Sequence, residues 1–206
     1  MAESIVQVTE GSGKKLQTFQ RTIGANSVED EVVLQGENYL ASYIVATIGA
    51  PSSTATANSH LLQIMAGASL KVRIRRIEMH QSAMATAAAL MQVSLYRLTT
   101  AGTGGTAHGV GALDSTDAAA GLSPMTLPTV KGTENVLLGN ATPYMMQTLG
   151  ASTPLANPVL VWDFDRPRSK PLIIAAGAAN GIAVKNLTAV AAGTVFFMVW
   201  ADESNF

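Results

Sequence analysis

The sequence predicts an all-β domain: an antiparallel β-sandwich or jelly roll with an extended N-terminal arm and long loops. Three observations predict it. Apolar and polar residues alternate with period two, most clearly over Leu70–Met79 and Ala89–Leu98. The run Thr194–Trp200 is dense in β-branched and aromatic residues. Turn signals separate eight or so such runs at short spacing, as in sandwiches.

Residues 1–37 read as the arm and residues 38–206 as the sandwich domain. Within the arm, Ile5-Val6-Gln7-Val8 is a short strand and Glu10-Gly11-Ser12-Gly13-Lys14-Lys15 a flexible turn. The turn is not a phosphate loop. Val8 stands where the first glycine belongs, and Lys15 where Ser or Thr should follow the lysine. Glu29, Asp30 and Glu31 precede the apolar run Val32-Val33-Leu34. A solvated acidic face is the ordinary reading, and a contact with a partner's basic surface is the sharper one.

Asn38–Gly49 is expected to be a strand, Pro51–Ser59 a small-residue loop, and His60–Met65 a short strand. Then comes Lys71-Val72-Arg73-Ile74-Arg75-Arg76-Ile77-Glu78-Met79. Val72 and Ile74 share one parity, Ile77 and Met79 the other. One extra residue at Arg75-Arg76, a β-bulge, returns all four to the same face. A helix would be encircled by its basic residues. Lys71, Arg73, Arg75 and Arg76 can be a solvated, anti-aggregation strand face or a docking stripe for an acidic partner. They lack the interleaved aromatics of a nucleic-acid patch.

Gln81–Ala88 is alanine-rich but short for a stable helix, and a wide connection is expected. Met91, Val93 and Leu95 alternate with Gln92, Ser94 and Tyr96 in the next strand. Gly102-Thr103-Gly104-Gly105 breaks regular structure. The stretch at about 101–157 is expected to be a long irregular insertion, with short elements at Ala118-Ala119-Ala120 and Asn135-Val136-Leu137-Leu138. Strands follow at Pro158–Phe164, Pro171–Ala175, Ile182–Lys185 and Thr194–Trp200. Asn180-Gly181 is a tight-turn signal and Ala192-Gly193 a second turn. Trp162 and Trp200, both in strands, are expected in the core.

Composition narrows the function classes. Among 206 residues only 13% are charged, against about 25% in average usage. The net charge is −1, so no global field draws the chain to nucleic acid or an anionic membrane. A surface with few charges suits a protein covered by neighbours. There is no cysteine, hence no disulfide, thiolate zinc site or cysteine nucleophile. No signal peptide is expected from Met1-Ala2-Glu3-Ser4, and no apolar run reaches the roughly 18 residues of a membrane helix. His60, His80 and His108 are scattered, and no serine-hydrolase elbow is present. Asp163 and Asp165, or Asp114 and Asp117, are carboxylate pairs of the kind that bind calcium or cleave glycosides. The simpler reading pairs Asp163 and Asp165 with Arg166 and Arg168 beside them. The expectation is therefore no enzyme, no cofactor and no metal.

Three stretches carry a resemblance. They are Val8–Lys14 leading into Glu31–Leu34, Leu70–Glu78 followed by Val93–Thr106, and the end Trp200-Ala201-Asp202-Glu203. Together the pattern resembles small all-β virion structural proteins of tailed bacteriophages. The resemblance implies a capsid decoration or cement protein that binds across capsid subunits. It also implies assembly in the host bacterial cytoplasm, residence in the virion, homo-oligomers, and the major capsid protein or other virion proteins as partners. Glu29, Asp30, Glu31, Lys71, Arg73, Arg75 and Arg76 are then the interface candidates. A neck or tail component shares these features, and a glycan- or receptor-binding sandwich is the alternative of another class.

Overall fold

The structure, a computed structural model, describes residues 18–23, 26–31, 41–86, 89–139, 142–146, 159–165 and 171–204. The chain divides into two compact units, Met1–Glu37 and Asn38–Phe206. In the first, β1 (Thr18–Ile23) and β2 (Asn26–Glu31) form an antiparallel pair, with Thr18 opposite Glu31 and Ile23 opposite Asn26. The strand expected at Ile5–Val8, the turn at Glu10–Lys15 and the run Val32–Leu34 lie outside the described residues.

The second unit is an all-β sandwich, with no helix among the described residues. Its strands are β3 (Ala41–Ala46), β4 (Ser52–Ser53), β5 (His60–Met65), β6 (Lys71–Ala83) and β7 (Ala89–Leu98), then β8 (Thr106–Ala107), β9 (Val110–Ala112), β10 (Ser123–Thr126), β11 (Glu134–Leu137) and β12 (Thr142–Met146). The last four are β13 (Val159–Asp163), β14 (Leu172–Ile174), β15 (Gly181–Asn186) and β16 (Thr194–Ser204). In the first sheet, β13 and β14 lie end to end along β6, which pairs with β16. On the far side of β16 run β3 and the short β4, and β9 follows β3. In the second sheet, β11 and β12 lie end to end along β7, followed by β15, β5, β10 and β8. All pairs are antiparallel. The chain passes between sheets as it goes, so spatial order is β3-β16-β6-β13/β14 in one and β5-β15-β7-β12 in the other.

The long strand β6 carries the expected bulge. Trp200 of β16 stands opposite Arg76, but the next residue, Ala201, stands opposite Ile74. Arg75 is the extra residue, and Val72, Ile74, Ile77 and Met79 are all fully buried as a result. They pack with Tyr43 and Val45 of β3, Val195, Phe197 and Val199 of β16, and the facing Leu62, Ile64, Met91, Val93, Leu95, Ile182 and Val184 of the second sheet. Full burial of such a side chain contributes about 1.5–3 kcal/mol, so these inward rows hold the sheets together.

Several details depart from expectation. β6 runs on through Gln81–Ala83, so the first three residues of the predicted connection are strand. The region from 101 onward is not a single irregular loop: β8 to β12 fall within it, while Ala118–Ala120 form no strand. Asn180-Gly181 does not make a hairpin, because β14 and β15 belong to different sheets. The turn sits earlier: Gly177 takes φ of +117°, and Asn180 N–H donates to its carbonyl at 2.8 Å. Trp200 is not in the core. Its neighbours Val199 and Ala201 point inward, which puts Trp200 on the outer face, half-buried. Trp162 does pack against the core, partly buried.

Candidate interaction surfaces

The β6 stripe is charged at every alternate outward position, and the fold compensates most of that charge itself. Arg73, buried, donates from Nη2 to Asp165 Oδ1 at 2.7 Å. Arg75, freed by the bulge, donates from Nε and Nη2 to Asp165 Oδ2 at 3.2 and 3.0 Å. Its Nη1 lies 3.9 Å from Oδ1 of the buried Asp202, which also accepts from Ser42 Oγ at 2.7 Å. Lys71 is half-buried opposite Ser204 at the end of the strand pair. The Arg75 and Arg76 side chains are 42% and 49% exposed, and Arg76 pairs with Glu78. The partner of Arg73 and Arg75 is thus a carboxylate some 90 positions later in the chain. Asp163 accepts the backbone N–H of Asp165 at 3.0 Å, and Arg166 and Arg168 lie outside the described residues. Glu29, Asp30 and Glu31 fall on β2, opposite Gln20, Phe19 and Thr18.

Beyond the stripe, the outer face of the first sheet is mixed aromatic and polar. Strand register sets it out in rows. Asp163, Arg76, Trp200 and Ile44 lie side by side; so do Val161, Glu78, Met198 and Ala46; so do Val159, His80 and Phe196. The Arg76 guanidinium sits 5.7 Å from the Trp200 ring centroid. The His80 ring stacks on Phe196 at 4.8 Å and 9°, and its Nε2 is 3.0 Å from Glu78 Oε2.

A third cluster lies on the opposite sheet. His60 of β5 is fully buried, and its Nε2 is 3.0 Å from Glu134 Oε1 of β11. Ionised Glu134 can only accept, so the imidazole proton sits on Nε2. Its Nδ1 has no hydrogen-bond partner. Lys185 of β15 donates to Glu134 Oε2 at 2.9 Å and lies 5.1 Å from the Tyr96 ring centroid. Lys131 is 3.9 Å from Glu134. Burial holds the His60 pKa below its usual value. The Glu134 hydrogen bond and charge oppose this, and Lys131 and Lys185 reinforce it. For Glu134, burial acts to raise the pKa, but the hydrogen bonds and charges of Lys185 and His60 outweigh it and lower it. The three histidines stay apart, since His80 is on the other sheet and His108 bonds Thr126 Oγ1 at 2.8 Å. Among the described residues no three His, Asp or Glu side chains come together as a metal site would need.

Exposed apolar side chains stand at two places on the β11/β12 side of the second sheet, about 20 Å apart along β7. Leu90 and Met145 are a direct cross-strand pair, and Leu137 stands opposite Tyr96. Leu90, Val136, Leu137 and Met145 are each 45–55 % exposed. The sequence placed β11 here but gave no sign that it would be an edge, because edge position depends on the pairing partner of β7. No family model matches the chain, and neither a curated protein nor a solved structure does.

Proposed function

We propose that this chain is a structural, non-enzymatic virion component of the capsid-decorating type. The observation that carries this reading is the exposure of four large apolar side chains, Leu90 with Met145 and Val136 with Leu137, at two places on the β11/β12 side of one sheet. Large exposed apolar side chains, in a chain poor in charge, suit a surface that another protein covers. Repeated over many copies, individually weak contacts of this kind would stiffen a shell by multivalency.

The strand order supports the jelly-roll form of the fold expectation. Eight strands taken in sequence (β3, β5, β6, β7, β12, β13/β14, β15, β16) divide between the two sheets four and four, changing sheet at every step but β7 to β12, as two nested Greek keys require. Viral capsid domains use this architecture, and so do lectins and cupins, so the fold alone does not assign the function. In this reading residues 1–37 reach a neighbouring subunit, by strand addition through β1 and β2 or through Glu29, Asp30 and Glu31. Lys71, Arg73, Arg75 and Arg76 contribute chiefly through Arg75 and Arg76, whose side chains are the more exposed.

Cosedimentation with heads that lack decoration tests the proposal. The full chain should pellet with the heads. A chain lacking residues 2–30 should stay in the supernatant while keeping its β-sheet circular dichroism. Equal pelleting of both chains removes the role of the arm, and failure of the full chain to pellet contradicts the decoration reading.

A further inference from the structure

We infer that Asn180-Gly181 is a self-modification site that the fold masks. Its asparagine converts to aspartate and isoaspartate, with water as co-reactant, in molecules whose entry to β15 has opened. This goes beyond the decoration role and does not depend on it. Asn180-Gly181 is the only Asn-Gly pair in the sequence. Asparagine is a chemically labile residue, and a following glycine has no Cβ to hinder its amide nitrogen. In the reaction the Gly181 nitrogen attacks Asn180 Cγ, forming a C–N bond as the Cγ–Nδ2 bond breaks. The side-chain nitrogen leaves as ammonia, carrying the proton that the Gly181 amide loses. Water then opens the resulting succinimide at either carbonyl, which gives aspartate or isoaspartate.

Packing fixes both residues. A Cβ at position 181 would lie 2.3 Å from Met65 Sδ and 2.6 Å from the Ile64 carbonyl oxygen, so β15 needs glycine where it passes β5. Asn180 closes the turn before β15. Its N–H donates to the Gly177 carbonyl at 2.8 Å, its Nδ2 donates to the Ala176 carbonyl at 2.8 Å, and its own carbonyl accepts from Ala66 N–H at 2.9 Å. The last bond also aims the nucleophile. Across a planar trans peptide, the Asn180 carbonyl and the Gly181 N–H point opposite ways. The carbonyl faces β5, so the N–H is turned toward β7, where buried Gly181 stands opposite Leu98. Attack on Cγ therefore waits until this ladder position opens. The products no longer suit the turn. Aspartate sets a carboxylate oxygen against the Ala176 carbonyl, two acceptors with no proton between them. Isoaspartate adds a methylene to the main chain just ahead of Gly181, where Met65 leaves no room for a further atom. Each opening that leads to reaction is thus one-way.

Ageing the full chain in mildly alkaline buffer, with and without guanidinium chloride, is the test. Peptide mass spectrometry reads conversion at Asn180, and labelling by an isoaspartate methyltransferase reads the isomer. Asn180 should convert at least about tenfold faster in the denatured chain, because a masked site reacts only through its opened fraction. Chains bearing isoaspartate should not regain the parent's β-sheet circular dichroism when denaturant is removed. Asn180→Asp keeps the normal main chain and loses only the Ala176 bond, so it should fold with a lowered denaturation midpoint. The inference is overturned if folded and denatured chains convert at equal rates, or if Asn180 converts in neither. It is equally overturned if isoaspartate-bearing chains refold with the parent's midpoint.

Discussion

Arg75 shows how one residue sets the side-chain pattern of a whole strand. The two halves of β6 have opposite parity, and a strand without an extra residue would drive either Val72 and Ile74 or Ile77 and Met79 into solvent. Removing Arg75 should therefore be far worse than truncating it. Arg75→Ala loses a partly exposed ion pair with Asp165 and should cost at most about 1 kcal/mol. Deletion of Arg75 should abolish the cooperative denaturation transition. Equal midpoints in urea for the two variants would show that the bulge does not set the register. The bulge was legible because parity is a local property of sequence. The ion pair was not, because Asp165 reaches Arg73 and Arg75 only through the pairing of β13 with β6. Trp200 was misplaced for a related reason: in a run as apolar as Thr194–Trp200, both faces look like core.

His60 belongs to the same scale. Its pKa in the folded chain is depressed, so the unfolded chain takes up a proton first as the pH falls. The group's contribution is present above the ordinary value of 6.5 and is lost as the pH drops from there toward the lowered folded value. Glu134, also depressed, adds a second loss below 4.5. Stability measured by urea denaturation should fall between pH 7 and pH 5.5 with a slope of at most about 1.4 kcal/mol per pH unit from this group. His60→Gln should flatten that interval and leave the acid limb below 4.5 in place. An unchanged slope would mean that another group titrates there.

At the scale of elements, sequence marked β5 and β7 at their observed bounds, and β13, β14 and β16 to within a few residues, because each carries either clean alternation or a β-branched run between turn signals. The insertion between β7 and β12 was harder to see. Its strands are two to four residues long and are held by contacts with distant partners, so they leave no periodicity to detect. Gly102 is one such contact. Its N–H donates to Gln63 Oε1 at 2.8 Å, and a Cβ at this position would lie 2.7 Å from the Val130 carbonyl oxygen and 2.8 Å from Gln63 Oε1. The sequence identified the glycine run as a break in regular structure, whereas its role at Gly102 is close approach of one segment to another. Gly102→Ala should lower the denaturation midpoint by about 1–3 kcal/mol equivalents and speed proteolysis within residues 99–133. Wild-type protease resistance would contradict the close packing.

At the scale of the whole molecule, the sandwich follows from the inward rows, but the winding of its strands depends on pairings that no single segment encodes. The exposed apolar sites emerge at this scale too: Leu90 meets Met145 only through the pairing of β12 with β7, and Leu137 reaches Tyr96 only through that of β11 with β7. Those sites are the centre of the functional account. A structural component that covers its apolar side chains against neighbours should use them in solution, with its own copies. The deciding measurement is the solution mass of the full chain and of the double variant Leu137→Asp, Met145→Asp, by size-exclusion chromatography with light scattering. The account predicts a closed oligomer, an integral multiple of 21.4 kDa, that the double variant reduces to the 21.4 kDa monomer with its fold intact. A parent chain that stays at 21.4 kDa at every concentration, or a double variant with the parent's mass, would contradict it.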